Sequence, residues 1–302
     1  MLKVGVIGTG NMGKNHLRVF SEIKDVNLVG FSDTNSETRR VLENKFSVQS
    51  YGNYEDLLSK VDAVSIAVPT KFHKEVASNA ILNGVHCLVE KPISSSIEDA
   101  EYMVSLAEKN NILLAVGHIE NFNPAVRETK KIVDLGSLGK ILIISSRRVG
   151  PFAKRIEDVG IDLDLASHEI AAIRYILGIK DGGFSSVFLR LKGLRNKKGD
   201  YAVITSEVSD IILNIEVNWF TPYKLREMLI TGSEAVLSLN YEDQTVKINS
   251  KDCVKILNIT KEEPLKLEIC DFIECVKTGK IPVVTGFEGL QIVKLILESK
   301  KY

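Results

Sequence analysis

Leu2-Lys3-Val4-Gly5-Val6-Ile7-Gly8-Thr9-Gly10-Asn11-Met12-Gly13 begins the chain after Met1. A short apolar run ending in glycines spaced G-x-G-x-x-G predicts a buried strand, a tight turn and the first turn of a helix. Gly8 permits the turn, Gly10 lets backbone approach a pyrophosphate, and Gly13 lets helix and strand pack closely. Asn11 and Met12 open that helix, whose N-terminal N–H groups and partial positive charge favour phosphate. Asp33 lies 20 positions beyond Gly13, at the end of the next apolar run, where its carboxylate is placed to accept from ribose hydroxyls. A carboxylate there repels a 2'-phosphate. NAD is therefore the expected cofactor, while Thr34, Asn35, Ser36, Arg39 and Arg40 leave NADP possible.

Outward from this stretch, apolar runs at 26–32, 63–68, 86–89 and 113–116 alternate with helix-like segments such as 72–82 and 96–110. Ser96, with Asp99 three residues on, is a plausible helix cap. This alternation predicts a doubly wound parallel sheet with helices on both faces, a dinucleotide-binding domain over residues 1–118. Beyond it the periodicity changes. Residues 127–135 and 168–177 still read as helix, but 210–219 alternates, with Ile211, Leu213, Ile215, Val217 and Trp219 on one side and Asp210, Asn214, Glu216 and Asn218 on the other. Further strands are expected at 140–149, 186–192, 201–208, 225–231 and 235–240, and helix returns at 267–277 and 288–300. Residues 119–302 thus read as a second α/β domain with a mixed, mostly antiparallel sheet.

The composition narrows the function. Lys plus Arg and Asp plus Glu both number 39, which removes the broad attraction that nucleic acid or an anionic membrane requires. No apolar run approaches membrane-spanning length, and the sequence before the first glycines is too short for a signal peptide, so a cytoplasmic protein is expected. Cys87, Cys253, Cys270 and Cys275 lack metal-ligand spacing, and no metal is expected.

Two further motifs carry chemistry. Glu90-Lys91-Pro92 follows an apolar strand, and ligands of open parallel sheets bind beyond the carboxyl ends of the strands. A lysine there can stabilise a developing alkoxide, although alone it reads as a surface lysine before a turn. Asp164 and His168 are spaced D-x-x-x-H, which places both on one face if the segment is helical. The imidazole can take an alcohol proton while the carboxylate orients it.

Gly8-Thr9-Gly10-Asn11-Met12-Gly13 with His16, Asp33, Val68-Pro69-Thr70 with His73, Glu90-Lys91-Pro92, Gly117-His118, and Asp164 with His168 together resemble the glucose-fructose oxidoreductase / inositol 2-dehydrogenase (Gfo/Idh/MocA) family over nearly the whole chain. The resemblance implies a Rossmann domain followed by an open-sheet domain, nicotinamide chemistry on sugars or polyols, and a homodimer or homotetramer. It further implies that Lys91 and His168 flank the reacting carbon, that Asp164 belongs to the site, and that Pro69, Thr70 and His73 line the cofactor cleft beside Glu90, Lys91 and Pro92. Within the family, residues 117–125 and 147–156 look most like UDP-N-acetylglucosamine 3-dehydrogenases. Arg148, Lys154 and Arg155 would then face a diphosphate, and Asn121 and Asn123 sugar hydroxyls; as plain sequence the same residues read as loop charges and a turn. Glu169 departs from the family, which often has aspartate there. The reading is an NAD(P)-dependent dehydrogenase of a sugar nucleotide. The alternatives are an inositol or monosaccharide dehydrogenase and a non-catalytic dinucleotide-binding sensor or repressor subunit.

Overall fold

The structure is a computed structural model that describes residues 1–152, 159–194 and 197–299. Contacts divide the chain into two compact units, one of residues 1–117 with 265–290, the other of 118–264 with 291–302.

The first unit holds strands β1 (Leu2–Ile7), β2 (Val26–Ser32), β3 (Gln49–Tyr51), β4 (Ala63–Ile66), β5 (His86–Glu90) and β6 (Leu114–Gly117). Among the described residues they form one sheet in the order β3-β2-β1-β4-β5-β6, and every pairing is parallel. Helices α1 (Asn11–Glu22), α2 (Ser36–Phe46), α3 (Glu55–Leu58), α4 (His73–Leu82) and α5 (Ile97–Lys109) join them. A strand covered by helices on both faces shows no alternation, and β4 and β6 are buried at every position. The order reverses between β1 and β4, so the segments after β1, β2, β4 and β5 all emerge at the carboxyl edge of neighbouring strands. Ser96 caps α5 by accepting from the Asp99 N–H at 3.1 Å, as its sequence position suggests. The sequence reading does not place β3, a three-residue polar edge strand with too few residues to show a period.

The second unit contains α6 (Pro124–Asp134), β7 (Ile141–Val149), α7 (Ser167–Leu177), β8 (Ser185–Lys192), β9 (Tyr201–Val208), β10 (Ile211–Asn218), β11 (Leu225–Gly232), β12 (Ala235–Asn240), β13 (Thr245–Ser250) and β14 (Val254–Ile256). Its sheet runs β14-β13-β12-β11-β7-β10-β9-β8, antiparallel except for the β7·β10 pair. Leu213, Ile215 and Val217 are buried as the alternation predicts, and Ile212 and Asn214 point the other way. That outer face pairs Ile212 with Ile143 and carries Leu229 and Phe188 among charged neighbours such as the Arg147–Glu216 ion pair at 2.9 Å. Helix α6 begins three residues earlier than expected because Asn123 caps it and Pro124 occupies its first turn. β13 and β14 were also not expected; β14 has only three residues, too few to show a period, and is exposed throughout. Among the described residues no helix is long and apolar enough to cross a membrane, and no cluster of potential metal ligands occurs.

Helices α8 (Pro264–Thr278) and α9 (Gly286–Glu298) complete the elements. The segment between them returns to β6, where the Val116 N–H donates to the Val284 carbonyl at 3.2 Å and Gly286 and Gly289 approach Leu114 and Val116 too closely for a side chain. Glu268 on α8 is buried, and neither carboxyl oxygen has a hydrogen-bond partner among the described residues. Burial, with Glu90 and Asp271 nearby, pushes its carboxyl well above the usual range. A proton is then held by the folded chain that the unfolded chain releases above about pH 4.5, so stability from this group is full at acid pH and declines as pH rises. Glu268→Gln is therefore expected to gain stability over the parent as pH increases, by about 1.4 kcal/mol per pH unit while the parent glutamate stays protonated. Thermal melts of both proteins at pH 5.5 and 8 check this, and an equal difference at the two pH values would count against a buried neutral acid.

Candidate active site

The turn after β1 meets the requirements of a dinucleotide cradle. Gly8 has φ +84°, and a Cβ there would lie 2.9 Å from the Ala67 backbone. A Cβ on Gly13 would overlap the Gly8 carbonyl oxygen, so helix and strand can approach only with glycine at this position. Gly10 and Asn11 face solvent, Met12 is half-buried, and a Cβ on Gly10 would meet nothing. Helix α1 has no side-chain cap and no acidic residue in its first turn, unlike α2 and α5, which have both. Its first N–H groups and its dipole are left for an anion, which fits the pyrophosphate of a dinucleotide.

Asp33, just after β2, has one oxygen fixed by the Thr9 N–H at 2.8 Å and the Thr9 hydroxyl at 2.6 Å, and the other by the Asn35 N–H at 2.9 Å. Burial opposes its charge, but these donors and Arg39 outweigh it and hold the carboxyl below its ordinary value. Arg39 donates to the carbonyls of Asp33 and Thr34 at 2.7 and 3.2 Å, bracing the same turn. The part played by Thr9 was not foreseen, since the fingerprint leaves that position open.

Past β4, Pro69 is exposed, and Thr70 lies in a short 3-10 turn that leads into α4 at His73. The buried His73 ring sets Nδ1 3.0 Å from the Pro92 carbonyl and Nε2 3.0 Å from the Val68 carbonyl. Burial lowers its pKa while those carbonyls oppose the shift, and the ring packs between the segments after β4 and β5. The Lys91–Pro92 bond is cis. Lys91 is half-buried, and its N–H donates to Glu90 Oε2 at 3.1 Å. Glu90 Oε1 meets His16 Nε2 at 2.9 Å, and His16 Nδ1 meets the Ser65 hydroxyl at 2.7 Å. Burial opposes ionisation of Glu90, yet His16, Lys91 and the Lys91 N–H together depress its pKa. Ser65 gave no sign in the sequence, because inside an apolar strand it reads as filler.

In the second unit Asp162–Ala166 forms a π-helical turn that runs directly into α7. Asp164 lies in that turn and His168 in the first turn of α7; Asp164 is buried and His168 half-buried. The expected helix is present, but its first turn is wider than an α-helix. Asn121 sits in the 3-10 turn Ile119–Phe122, buried, with no hydrogen-bond partner for Oδ1 among the described residues. Asn123 is committed to structure: its amide donates to Glu120 Oε2 at 3.2 Å and the Tyr241 carbonyl at 3.0 Å, and its oxygen caps α6. Arg148 is only 3% exposed. Its Nη2 donates to Glu120 Oε1 at 2.7 Å and its Nε to Glu169 Oε1 at 2.5 Å, so the guanidinium faces two carboxylates rather than solvent. Glu120 and Tyr241 were not singled out in the sequence. Lys154 and Arg155 lie outside the described residues.

Comparison with known proteins agrees with this geometry. Residues 2–118 match a model of an oxidoreductase family with an NAD-binding Rossmann fold, and residues 126–238 match the GFO/IDH/MocA C-terminal domain. UDP-N-acetylglucosamine 3-dehydrogenase of Acidithiobacillus ferrooxidans is 25% identical over 99% of this chain and 96% of its own. A solved structure of that enzyme covers 99% of this chain and 97% of its own with a TM-score of 0.90. Myo-inositol 2-dehydrogenase of Thermotoga maritima is 26% identical over 99% of this chain and 96% of its own. With one family matched in both halves and the nucleotide cradle intact, the chain belongs to the Gfo/Idh/MocA oxidoreductases and carries their NAD-binding Rossmann fold.

Proposed function

We propose that the chain is a dehydrogenase that oxidises a secondary hydroxyl of a sugar nucleotide, C3 of UDP-N-acetylglucosamine, to the ketone. The observation that carries this reading is the end-to-end likeness, in sequence and in fold, to an enzyme named for that reaction. NAD, when bound, supplies the two-electron acceptor. Asp33, already charged and aimed by Thr9 and Asn35, holds the adenosine ribose and disfavours a 2'-phosphate, which sets the preference for NAD over NADP. His168 takes the proton of the reacting hydroxyl, Asp164 orients that imidazole, and the Lys91 ammonium stabilises negative charge on the oxygen.

A substrate panel tests the specific claim. Purified protein with NAD is offered UDP-N-acetylglucosamine, inositols and free hexoses, and the reduced cofactor is followed by absorbance. Turnover of the sugar nucleotide well above the rest is expected; preference for an inositol or a free hexose would replace it with that substrate class.

Asp33→Ala is expected to weaken NAD binding by about 1.5–3 kcal/mol, the worth of a hydrogen bond to a charged group, with the fold intact. An unchanged NAD dissociation constant, measured by fluorescence titration, would remove Asp33 from the ribose site. Lys91→Met and His168→Asn are each expected to spare NAD binding and cut kcat on the order of a hundredfold or more. Full turnover in either variant excludes that residue from the chemistry.

We also propose that the outer face of the second sheet self-associates, as apolar Ile143, Ile212, Leu229 and Phe188 there call for cover. Sedimentation should show a dimer or tetramer at micromolar concentration and a shift toward monomer in Ile212→Glu; a monomeric parent protein would refute this.

A further inference from the structure

A buried arginine between two buried glutamates is costly unless every polar atom finds a partner, and truncating one member commonly destabilises a fold severely. In the cluster around Arg148 both carboxylates and two of the three guanidinium nitrogens are partnered. Nε reaches Glu169 Oε1 and Nη2 reaches Glu120 Oε1, while the guanidinium lies 5.0 Å over the Tyr241 ring. The second oxygen of Glu169 accepts from the hydroxyls of Ser146 and Tyr241, the latter at 2.9 Å, and that of Glu120 accepts from Asn123. Four segments of the second unit are thereby tied at one point: the 3-10 turn 119–122, the strand β7, the start of α7 and the residue after β12.

Two of those segments carry residues assigned to the reaction or its neighbourhood. Glu169 is fully buried and directly follows half-buried His168, so anchoring Glu169 fixes the rotation of α7 and with it the direction of the imidazole. Glu120 immediately precedes Asn121 in the turn that packs against α7. We propose that Arg148 is a positioning residue, not a ligand for the diphosphate: it clamps the 119–122 turn to the first turn of α7 and so aims His168. This rests on the reading of His168 as the base. An arginine is required because the two carboxylates are met by different nitrogens of one planar group, which a lysine ammonium cannot reproduce.

The test compares Arg148→Lys with His168→Asn, using UDP-N-acetylglucosamine or whichever member of the panel is turned over. Arg148→Lys keeps the charge and is expected to lower kcat on the order of tenfold to a hundredfold, with KM for the sugar and the dissociation constant for NAD within about twofold. In the cofactor-free protein the His168 ring resonance, assigned by its loss in His168→Asn, is expected to shift or broaden in Arg148→Lys. If Arg148→Lys does not fold, Tyr241→Phe, which removes one donor to Glu169, carries the same two readouts with a smaller effect. A raised KM with unchanged kcat would return Arg148 to substrate binding and overturn the clamp. Collapse of kcat in His168→Asn with unchanged kcat and resonance in Arg148→Lys overturns the clamp alone. Full turnover in His168→Asn overturns the reading of the base, and the clamp with it.

Discussion

The contact between His16 and Glu90 organises the whole carboxyl edge of the first sheet. His16 is completely buried on α1, the helix that opens on the glycine turn, and Glu90 ends β5 immediately before Lys91. The 2.9 Å contact between them, backed by Ser65 from the strand between, ties the helix after the glycine turn to the segment that carries the lysine. Glu90 keeps its charge only because His16 and Lys91 compensate burial. A charge this deep fixes geometry because any displacement would leave it unpaired. Hence the turn after β1 and the segment after β5, far apart in sequence, are held in one register at the edge where the strand order reverses.

The same device recurs in the second unit. Lys91 and His168, the two residues proposed to act on the reacting hydroxyl, are each the chain neighbour of a pinned, buried glutamate: Glu90 precedes Lys91, and Glu169 follows His168. A long polar side chain on the surface loses rotamer freedom when it is held in one pose. Fixing the neighbouring backbone instead sets the direction in which the reactive group leaves the chain. The hidden cost of each arrangement is the desolvation of a carboxylate, offset in one unit by an imidazole and in the other by a guanidinium.

Much of this was legible in the sequence. The glycine spacing, Asp33 and the alternation of strand and helix were sufficient for the parallel sheet, because short-range periodicity and turn chemistry govern those elements. The alternation over 210–219 likewise located β10 and its buried face. Partners drawn from distant segments were not legible. Ser65, Glu120, Tyr241 and Glu268 gain their importance from burial beside other polar groups, and no local pattern encodes that. Arg148 and Asn123 show the opposite error: as loop residues in a basic, amide-rich sequence they look available to a ligand, yet their donors are satisfied internally. Glu169 looked like a minor departure from the family and proved to be the centre of a network.

The π turn at Asp162–Ala166 also bears on how this region can be aligned and how its length can drift. An α-helix advances about 100° per residue, and a single extra residue is absorbed here by widening one turn. Deleting one residue from this stretch would restore regular helix without losing a turn of hydrogen bonds, yet it would swing everything before it around the axis relative to His168. Asp162 or Asp164 would then exchange places on the helix surface with apolar neighbours. A one-residue gap here would therefore change which residue shares a helix face with His168, and spacing alone is an unsafe guide to equivalence at this point in the chain.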